Sequence, residues 1–425
     1  SKVPNRRNLP TLARMRELAT LLGDPQLAYP SVHVTGTNGK GSTAAMTTAL
    51  LGAMGLTVGS YTSPNLSKVN ERIARAGEPI DDASFTAVLG AVSLVEPSLN
   101  ERPTRFEILT AAGLSWFAEV AVDAAVVEVG VGGTWDATNV VDGEVAVITN
   151  ISYDHTDMLG PTLEGIARDK AGIVKPGSIA VIGEQDPALV SLMREVADEA
   201  GAAQVWVRGE EFGCSGQRLA VGGRLADLWT PAATYSDMLV PFHGAHQALN
   251  ASCAVAAAEA FFGASLDPAV VSDGIGTARM PGRLEVLGRH PLCLVDGAHN
   301  VAGTQALAAA LEDFSVEGET VVVVGMLVER DPSAMLEPLV AAGVRSLVAC
   351  APDSPRAQSA DVVAEAGTAA GMRVTTARSV PDAVARALEL AGDDGLVVIT
   401  GSLYVVAEAR THLLDTAPSV PPLTS

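Results

Sequence analysis

The feature of this sequence that most restricts its fold is a glycine-rich loop between a predicted strand and a predicted helix. The apolar run Val32–Val34 leads into Thr35–Thr43, which reads TGTNGKGST, and a helix-like segment follows. Glycines let backbone N–H groups turn inward around phosphate, the helix N-terminus adds positive potential, and Lys40 can reach the terminal phosphates. The spacing departs from the usual Walker A motif, because Val34 replaces its first glycine and Gly41 separates Lys40 from the hydroxyl residues. A turn that binds no ligand is the alternative, but three glycines and a lysine at this place favour an ATP site.

Strand-like and helix-like segments alternate on both sides of the chain's midpoint, which predicts βαβ units and parallel sheets. In the first part the predicted strands are Ser31–Val34, Thr57–Tyr61, Ala124–Val129 and Val145–Thr149, and the predicted helices are Ser42–Met54 and Phe106–Val120. In the second part they are strands Leu292–Val295, Thr320–Val324, Ser346–Ala349 and Gly395–Thr400, with helices Gly303–Leu311, Ala334–Ala342, Ala360–Ala369 and Val380–Leu390.

The chain of 425 residues is too long for one core, since single cores stop growing at roughly 250–300 residues. We expect an α/β ATP-binding domain over residues 1–283, with a small antiparallel β insert at about 205–241. A smaller Rossmann-like α/β domain should follow over 287–416, after the linker sequence Met280–Arg283. The Pro/Ser/Thr-rich segment 417–425 is predicted to be disordered.

Charge and cysteine content exclude several classes of protein. A formal net charge of -21 argues against a nucleic-acid partner, because phosphate backbones require a surplus of Lys and Arg. The four cysteines have no zinc-site spacing, so reduced structural thiols are expected. Neither a signal peptide nor a membrane span is recognisable, so we expect a cytoplasmic protein that does not bind membranes.

Acidic and basic side chains follow the predicted strands of the first domain. Glu128 ends a buried strand just before a run of glycines, and beside an ATP site its natural role is to hold magnesium. His155 lies in the acidic segment Asn150–Asp157 after the next strand; alone it would be structural, but beside Glu128 it favours metal binding. Lys170 lies on the helix that follows, where a solvated surface lysine is the simpler interpretation.

Taken together, these motifs resemble the folylpolyglutamate synthase and dihydrofolate synthase family, which is related to the Mur ligases. Their order and combination are far more specific than any one motif, and they cover nearly the whole chain. The segments that carry the resemblance are Gly36–Thr43 (GTNGKGST), Thr62–Leu66 (TSPNL) with Glu71–Ile73 (ERI), Phe106–Thr110 (FEILT), Glu128–Asn139 (EVGVGGTWDATN), Asp154–Gly160 (DHTDMLG), Lys170–Ile173 (KAGI), Met280–Glu285 (MPGRLE) and Asp296–Asn300 (DGAHN).

The resemblance implies roles for residues of both domains. ATP would be bound by Thr37, Asn38, Gly39, Lys40, Gly41, Ser42, Asn250, Arg283 and Asp296. Ser63, Glu128 and His155 would bind magnesium, with two ions expected, and a monovalent cation is a further ligand the resemblance allows. Lys170 matches a lysine that the family carbamylates, which would turn a cation into an anionic oxygen ligand near the metal.

The resemblance also implies a substrate pocket. Its residues would be Arg72, Thr104, Arg105, Phe106, Trp135, Asp136 and Ala137, with the aromatic rings stacking on the pterin, although Phe106 could equally be a core residue. Two positions depart from the family: Asn65 stands where it usually has His, and Thr134 where it commonly has Arg. The second departure concerns the substrate pocket and the preferred folate form.

The expected reaction is ATP-dependent ligation of L-glutamate to dihydropteroate or to a reduced folate through an acyl phosphate, in folate biosynthesis and one-carbon metabolism. We expect a monomer, and His299 could place the glutamate amine or take up its proton. A Mur-type ligase for another acceptor is a first alternative; only about 34 residues precede the loop, fewer than the ~50 that a separate nucleotide-sugar domain would need. A non-catalytic nucleotide-binding protein is a second alternative, against which Lys40, Glu128, His155 and Lys170 are all present.

Overall fold

The computed structural model describes residues 12–416, so the predicted tail at 417–425 lies outside the described residues. The chain divides into two compact units. The first unit comprises residues up to 220 with 224–241 and 247–279, and the second comprises 221–223, 242–246 and the chain from 280 onwards. No helix among residues 12–416 is long and apolar enough to cross a membrane.

The first unit is built on an eight-stranded sheet. Its strands are Ser31–Thr35 (β1), Val58–Tyr61 (β2), Ile73–Arg75 (β3), Glu78–Pro79 (β4), Ala124–Glu128 (β5), Val145–Ile148 (β6), Ile179–Ile182 (β7) and Gln204–Val207 (β8). The order is β4-β3-β2-β5-β1-β6-β7-β8, with β3 and β4 antiparallel and the other neighbours parallel. Both β1 and β5 are buried along their whole length, as expected for central strands covered on both faces.

Helices cover this sheet, and most of them connect its strands along the sequence. They are Leu12–Leu21 (α1), Lys40–Ala53 (α2), Asp82–Val95 (α3), Arg105–Glu119 (α4), Thr156–Leu159 (α5), Leu163–Ala171 (α6) and Pro187–Ala200 (α7), followed by Ala245–Phe262 (α8) and Pro268–Thr277 (α9). The carboxyl ends of β1, β5 and β6 meet at one edge of the sheet because these strands are parallel neighbours. In open α/β sheets that edge is where ligands bind.

A separate antiparallel sheet contains Gly213–Ala220 (β9), Gly223–Trp229 (β10) and Thr234–Val240 (β11), in the order β11-β10-β9. The insert therefore begins later than the expected residue 205. The segment Gln204–Val207 instead pairs in parallel with β7 as the edge strand of the main sheet. The apolar run Val205–Val207 is only three residues long, too short to distinguish an edge strand of the main sheet from a strand of the insert.

The second unit is a six-stranded sheet with helices in between. Its strands are Glu285–Arg289 (β12), Leu292–Val295 (β13), Thr320–Val324 (β14), Ser346–Ala349 (β15), Arg373–Thr376 (β16) and Leu396–Thr400 (β17), in the order β12-β13-β17-β14-β15-β16. Its helices are Val301–Leu311 (α10), Pro332–Ala341 (α11), Ala360–Ala369 (α12), Val380–Ala391 (α13) and Leu403–Thr416 (α14). Only β12 is antiparallel to its neighbour, so this is the expected Rossmann-like arrangement with one added edge strand.

Candidate active site

The glycine-rich loop turns sharply between β1 and α2. Gly36 has φ 145°, and a Cβ there would lie 1.8 Å from Thr149 Oγ1, so both the backbone conformation and the space require glycine. Gly39 caps α2, whose first residue is Lys40. The opening N–H groups of a helix have no partner within the helix, so the loop presents donors and positive potential suited to phosphate.

The loop is held by the segment that follows β6. Thr37 N donates to Asn150 O at 2.9 Å, and Asn38 N donates to Asn150 Oδ1 at 3.0 Å. Thr149 Oγ1 donates to Asn38 O at 2.6 Å. The amides of Thr37 and Asn38, both expected to contact ATP, thus fix the loop in this structure. Thr149 and Asn150 were not predicted as site residues, although they end a recognised strand at the sheet edge.

Two lysines converge on one carbonyl at the start of the loop. Lys40 Nζ donates to Gly36 O at 3.0 Å and to Thr37 O at 3.2 Å, and Lys170 Nζ donates to the same Gly36 O at 3.0 Å. Lys170 is only 4% exposed, which corrects its interpretation as a surface lysine. Burial, with a smaller effect of the Lys40 charge, lowers the pKa of Lys170 to about 7. Its amine can therefore be neutral near physiological pH, so it can act as a nucleophile.

Glu128 lies at the end of β5 and is 4% exposed. Ser63 N donates to Glu128 Oε2 at 2.9 Å, so the structure brings together two of the three expected magnesium ligands. His155, the third expected ligand, caps α5 in a left-handed conformation. Its backbone N–H donates to Asp154 Oδ1 at 2.9 Å, and its side-chain Nε2 lies 3.9 Å from the same oxygen. The left-handed backbone of His155 thus orients its side chain, and no local sequence pattern predicts that conformation.

The fit of a magnesium ion can be judged from these donors. Residues 12–416 contain no group of three or more His, Cys, Asp and Glu side chains arranged to hold a metal. Magnesium commonly takes one or two carboxylates and completes its shell with phosphate oxygens and water. A single buried carboxylate with a neighbouring serine, next to a phosphate loop, fits this coordination preference.

The expected substrate residues meet around Gly130. A Cβ there would lie 2.6 Å from Phe106 Cζ and 3.1 Å from Asp136 Oδ2, so the ring and the carboxylate flank this glycine. The Phe106 ring is tilted 59° against Tyr61 at a centroid distance of 6.2 Å, and it is partly exposed, so it belongs to the core and to the pocket at once. Trp135 is 55% exposed on the same loop, so the face of its ring is accessible to a ligand.

The Asp136 carboxylate is itself held by the loop. It accepts from Val131 N at 3.0 Å and from Thr138 N at 3.0 Å and Oγ1 at 2.5 Å. Burial raises the pKa of Asp136, and these hydrogen bonds act in the opposite direction. Ala137 is buried beside it.

The other expected substrate residues lie at the start of α4 and near β3. Thr104 caps α4, and Arg105 is its exposed first residue. Thr104 N donates to Glu107 Oε2 at 2.6 Å, and Arg14 Nε donates to the same oxygen at 2.8 Å, in a partly buried ion pair that was not predicted. Arg72 Nε donates to Asn65 Oδ1 at 2.8 Å, so the unusual asparagine holds an expected substrate residue.

The remaining expected ATP residues lie in both units. In the first, Asn250 is buried against the loop, since a Cβ on Gly39 would lie 2.4 Å from its Oδ1. In the second, Asp296 accepts from Leu284 N and Ala298 N, both at 2.9 Å. His299 Nδ1 bonds to Gly297 O at 2.8 Å, and a Cβ on Gly297 would lie 2.3 Å from Arg283 Nη1. Arg283, Asp296 and His299 therefore lie around one backbone turn.

Comparison with known proteins gives a consistent result. The model of the Mur ligase middle domain matches residues 34–258, and that of the Mur ligase glutamate ligase domain matches residues 282–403. The chain is 38% identical to a dihydrofolate synthase/folylpolyglutamate synthase of Mycobacterium tuberculosis, over 96% of this chain and 91% of that one.

Solved structures are similar over the same extent. M. tuberculosis folylpolyglutamate synthase complexed with ADP superposes with a TM-score of 0.90 at 38% identity, covering 95% of this chain and 94% of the other. E. coli FolC in complex with DHPP and ADP gives 0.87 at 31% identity, covering 98% and 94%. A bifunctional folylpolyglutamate synthase/dihydrofolate synthase with Mn, AMPPNP and L-glutamate bound gives 0.85 at 31% identity, covering 95% and 94%.

Proposed function

Because this chain belongs to the folylpolyglutamate synthase/dihydrofolate synthase family of Mur ligases, we propose that the phosphate loop, Glu128 and Lys170 form its catalytic centre. The chain is an ATP-dependent ligase that forms an amide between L-glutamate and dihydropteroate, the glutamate of reduced folates, or both. It uses ATP together with a divalent metal ion. The observation that carries our site assignment is the meeting of Lys40 and Lys170 at Gly36 O beside the loop.

The reaction first has to activate a carboxylate, which is a poor electrophile. A substrate carboxylate oxygen attacks the γ-phosphorus of ATP, the bond to ADP breaks, and an acyl phosphate forms. The start of α2 and Lys40 hold the phosphates and neutralise charge as it moves to ADP. Glutamate nitrogen then attacks the acyl carbon, phosphate leaves, and the nitrogen loses a proton.

Glu128, Ser63 and His155 are the residues we assign to the metal. When bound there, a divalent cation supplies positive charge to the phosphate oxygens. Burial of Glu128 and the bond from Ser63 N fix one carboxylate oxygen in place before any ligand arrives. The fixed position of this carboxylate oxygen, on the strand next to the one that leads into the phosphate loop, supports the assignment.

Lys170 is proposed to be carbamylated. Its neutral amine attacks carbon dioxide, an N–C bond forms, and the nitrogen releases a proton to give an anionic carbamate. The modification replaces the buried Lys170 amine, which lies next to the partly buried Lys40 ammonium, by an anion that is attracted to Lys40 and provides oxygen atoms for a metal ion. Intact-mass measurement in bicarbonate, after mild trapping of the carbamate as its methyl ester, tests this directly.

The pocket around Gly130 is proposed to take the pterin side of the substrate. Phe106 and exposed Trp135 offer aromatic faces, while Asp136 and the backbone at Ala137 offer polar atoms. Thr104, Arg105 and Arg72 would border the anionic part of the substrate, where cations favour carboxylates. In the second unit, Arg283 and Asp296 are assigned to ATP and His299 to the glutamate amine. Full turnover by His299→Ala would remove that last assignment.

Phosphate release from magnesium-ATP tests the activity. Dihydropteroate and a reduced folate are offered in parallel, each with and without L-glutamate. Release that needs dihydropteroate and glutamate identifies the synthase step, and release with the folate identifies chain extension. No release with either pair would refute the folate assignment. Replacing sodium by potassium in the same assay tests for a monovalent cation, and sedimentation tests our expectation of a monomer.

A further inference from the structure

His33 is a buried titratable residue that the mechanism does not use. It lies on β1, two residues before Thr35 at the start of the loop, and is 0% exposed. Burial, with a smaller effect of Lys175, lowers the pKa of His33 to about 3. The imidazole is therefore neutral, and one nitrogen carries a proton while the other is an acceptor.

A short chain of hydrogen bonds leads from this histidine to the substrate loop. His33 Nε2 lies 2.9 Å from Thr138 Oγ1, and Thr138 Oγ1 lies 2.5 Å from Asp136 Oδ1. The other carboxylate oxygen, Asp136 Oδ2, accepts from Val131 N at 3.0 Å. The chain thus connects the strand that carries the phosphate loop to the carboxylate beside Gly130 and Phe106.

The available donors determine which atom donates in each of these hydrogen bonds. Two backbone N–H groups already donate to Asp136, which suits an ionised carboxylate, and the Thr138 hydroxyl then donates its only proton to Oδ1. Thr138 Oγ1 must therefore accept from His33 Nε2–H. This leaves Nδ1 as a buried acceptor without a partner among the described residues. An unmet acceptor is better tolerated than an unmet N–H, which agrees with this tautomer.

The geometry points to His33 as a positioning residue for the folate-side pocket: acting through Thr138, its Nε2–H fixes the Asp136 carboxylate and the loop that carries Trp135. This inference rests on the proposed function of that pocket. It predicts that loss of the His33 imidazole weakens binding of the pteroate or folate substrate and leaves ATP binding unchanged, although His33 lies on the strand leading to the phosphate loop. Loss of one hydrogen bond in such a chain corresponds to about 3- to 10-fold in affinity.

The test compares His33→Leu, Thr138→Val and the double variant by steady-state kinetics with each substrate varied in turn. KM for dihydropteroate or folate should rise about 3- to 10-fold in each single variant, with KM for ATP unchanged. The double variant should be no worse than the worse single one, because both break the same chain. His33→Gln, which keeps an N–H donor, should recover most of the loss.

Ser31→Ala is the matched control, since Ser31 is buried on the same strand and its hydroxyl has no partner among residues 12–416. Equal rises in KM for ATP and folate, or additive effects in the double variant, would overturn the inference. Nitrogen-15 NMR of the wild-type imidazoles, with His33 assigned from His33→Gln, reads the tautomer without any substrate. Protonation at Nδ1 would also overturn it. Absence of wild-type turnover would instead count against the proposed function.

Discussion

Lys170→Met should stabilise the folded protein while it abolishes ligase turnover. The pKa of Lys170 falls from 10.5 to about 7 on folding, because its ammonium group loses water and lies near Lys40. A difference of that size corresponds to ~4–5 kcal/mol near neutral pH. Methionine occupies a similar volume without charge but loses the hydrogen bond to Gly36 O, about 1 kcal/mol. The expected net gain is therefore about 3–4 kcal/mol at pH 7.

The stability gain of Lys170→Met over the wild type should decrease as the pH rises. Between about pH 7 and 10.5 the unfolded chain keeps the Lys170 proton while the folded protein releases it, so wild-type stability rises with pH in this range. The variant lacks this contribution. Its advantage should be greatest below pH 7 and should disappear towards pH 10.

The assay is urea unfolding in buffers free of carbon dioxide, at several pH values from 6 to 9.5. Lys68→Met is the control, because Lys68 is exposed and its charge stays in water. Repeating the wild type in bicarbonate adds a second readout, since carbamylation should stabilise only the chain that has Lys170. A variant that is no more stable than wild type at pH 7, or whose advantage does not change with pH, would refute the reasoning.

Three other substitutions have defined outcomes. Gly36→Ala should abolish ATP binding, measured by calorimetry, because its Cβ would lie 1.8 Å from Thr149 Oγ1 and its φ of 145° is unfavourable for alanine; wild-type ATP affinity in this variant would contradict that reasoning. Glu128→Gln should keep its bond from Ser63 N and its unfolding midpoint but lose about 10²–10³ in kcat; unchanged kcat would exclude a metal-binding role. Phe106→Leu should raise KM for the pterin-bearing substrate about tenfold and leave KM for ATP unaltered, and equal changes in both would assign Phe106 to the core alone.

The sequence predicted the four central strands of each large sheet, because these strands are buried. The predicted bounds of Leu292–Val295, Thr320–Val324 and Ser346–Ala349 are those of β13, β14 and β15. Strands β12 and β16 were not predicted, since each is an edge strand with half-exposed and charged residues. A continuous apolar run appears only where both faces of a strand are covered.

The candidate site was predicted unevenly for a similar reason. The loop from Gly36 and the strand end at Glu128 could be recognised, because glycines before a helix and an acid after an apolar run are local patterns. The pairs Arg14–Glu107 and Thr149–Asn38 join residues 93 and 111 positions apart, so no local pattern contains them. They hold the loop and the start of α4 in place.

What the sequence alone determined is the alternation of strands and helices, the loop that binds phosphate, and a family resemblance carried by motifs in order. Only the tertiary structure decided that Lys170 is buried against Gly36 O beside a second cation, and that His33 reaches Asp136 through Thr138. Burial lowers the pKa of both residues, and burial depends on which segments pack around a side chain. That packing brings together strands far apart in the sequence, so the chemistry of these two residues follows from the fold.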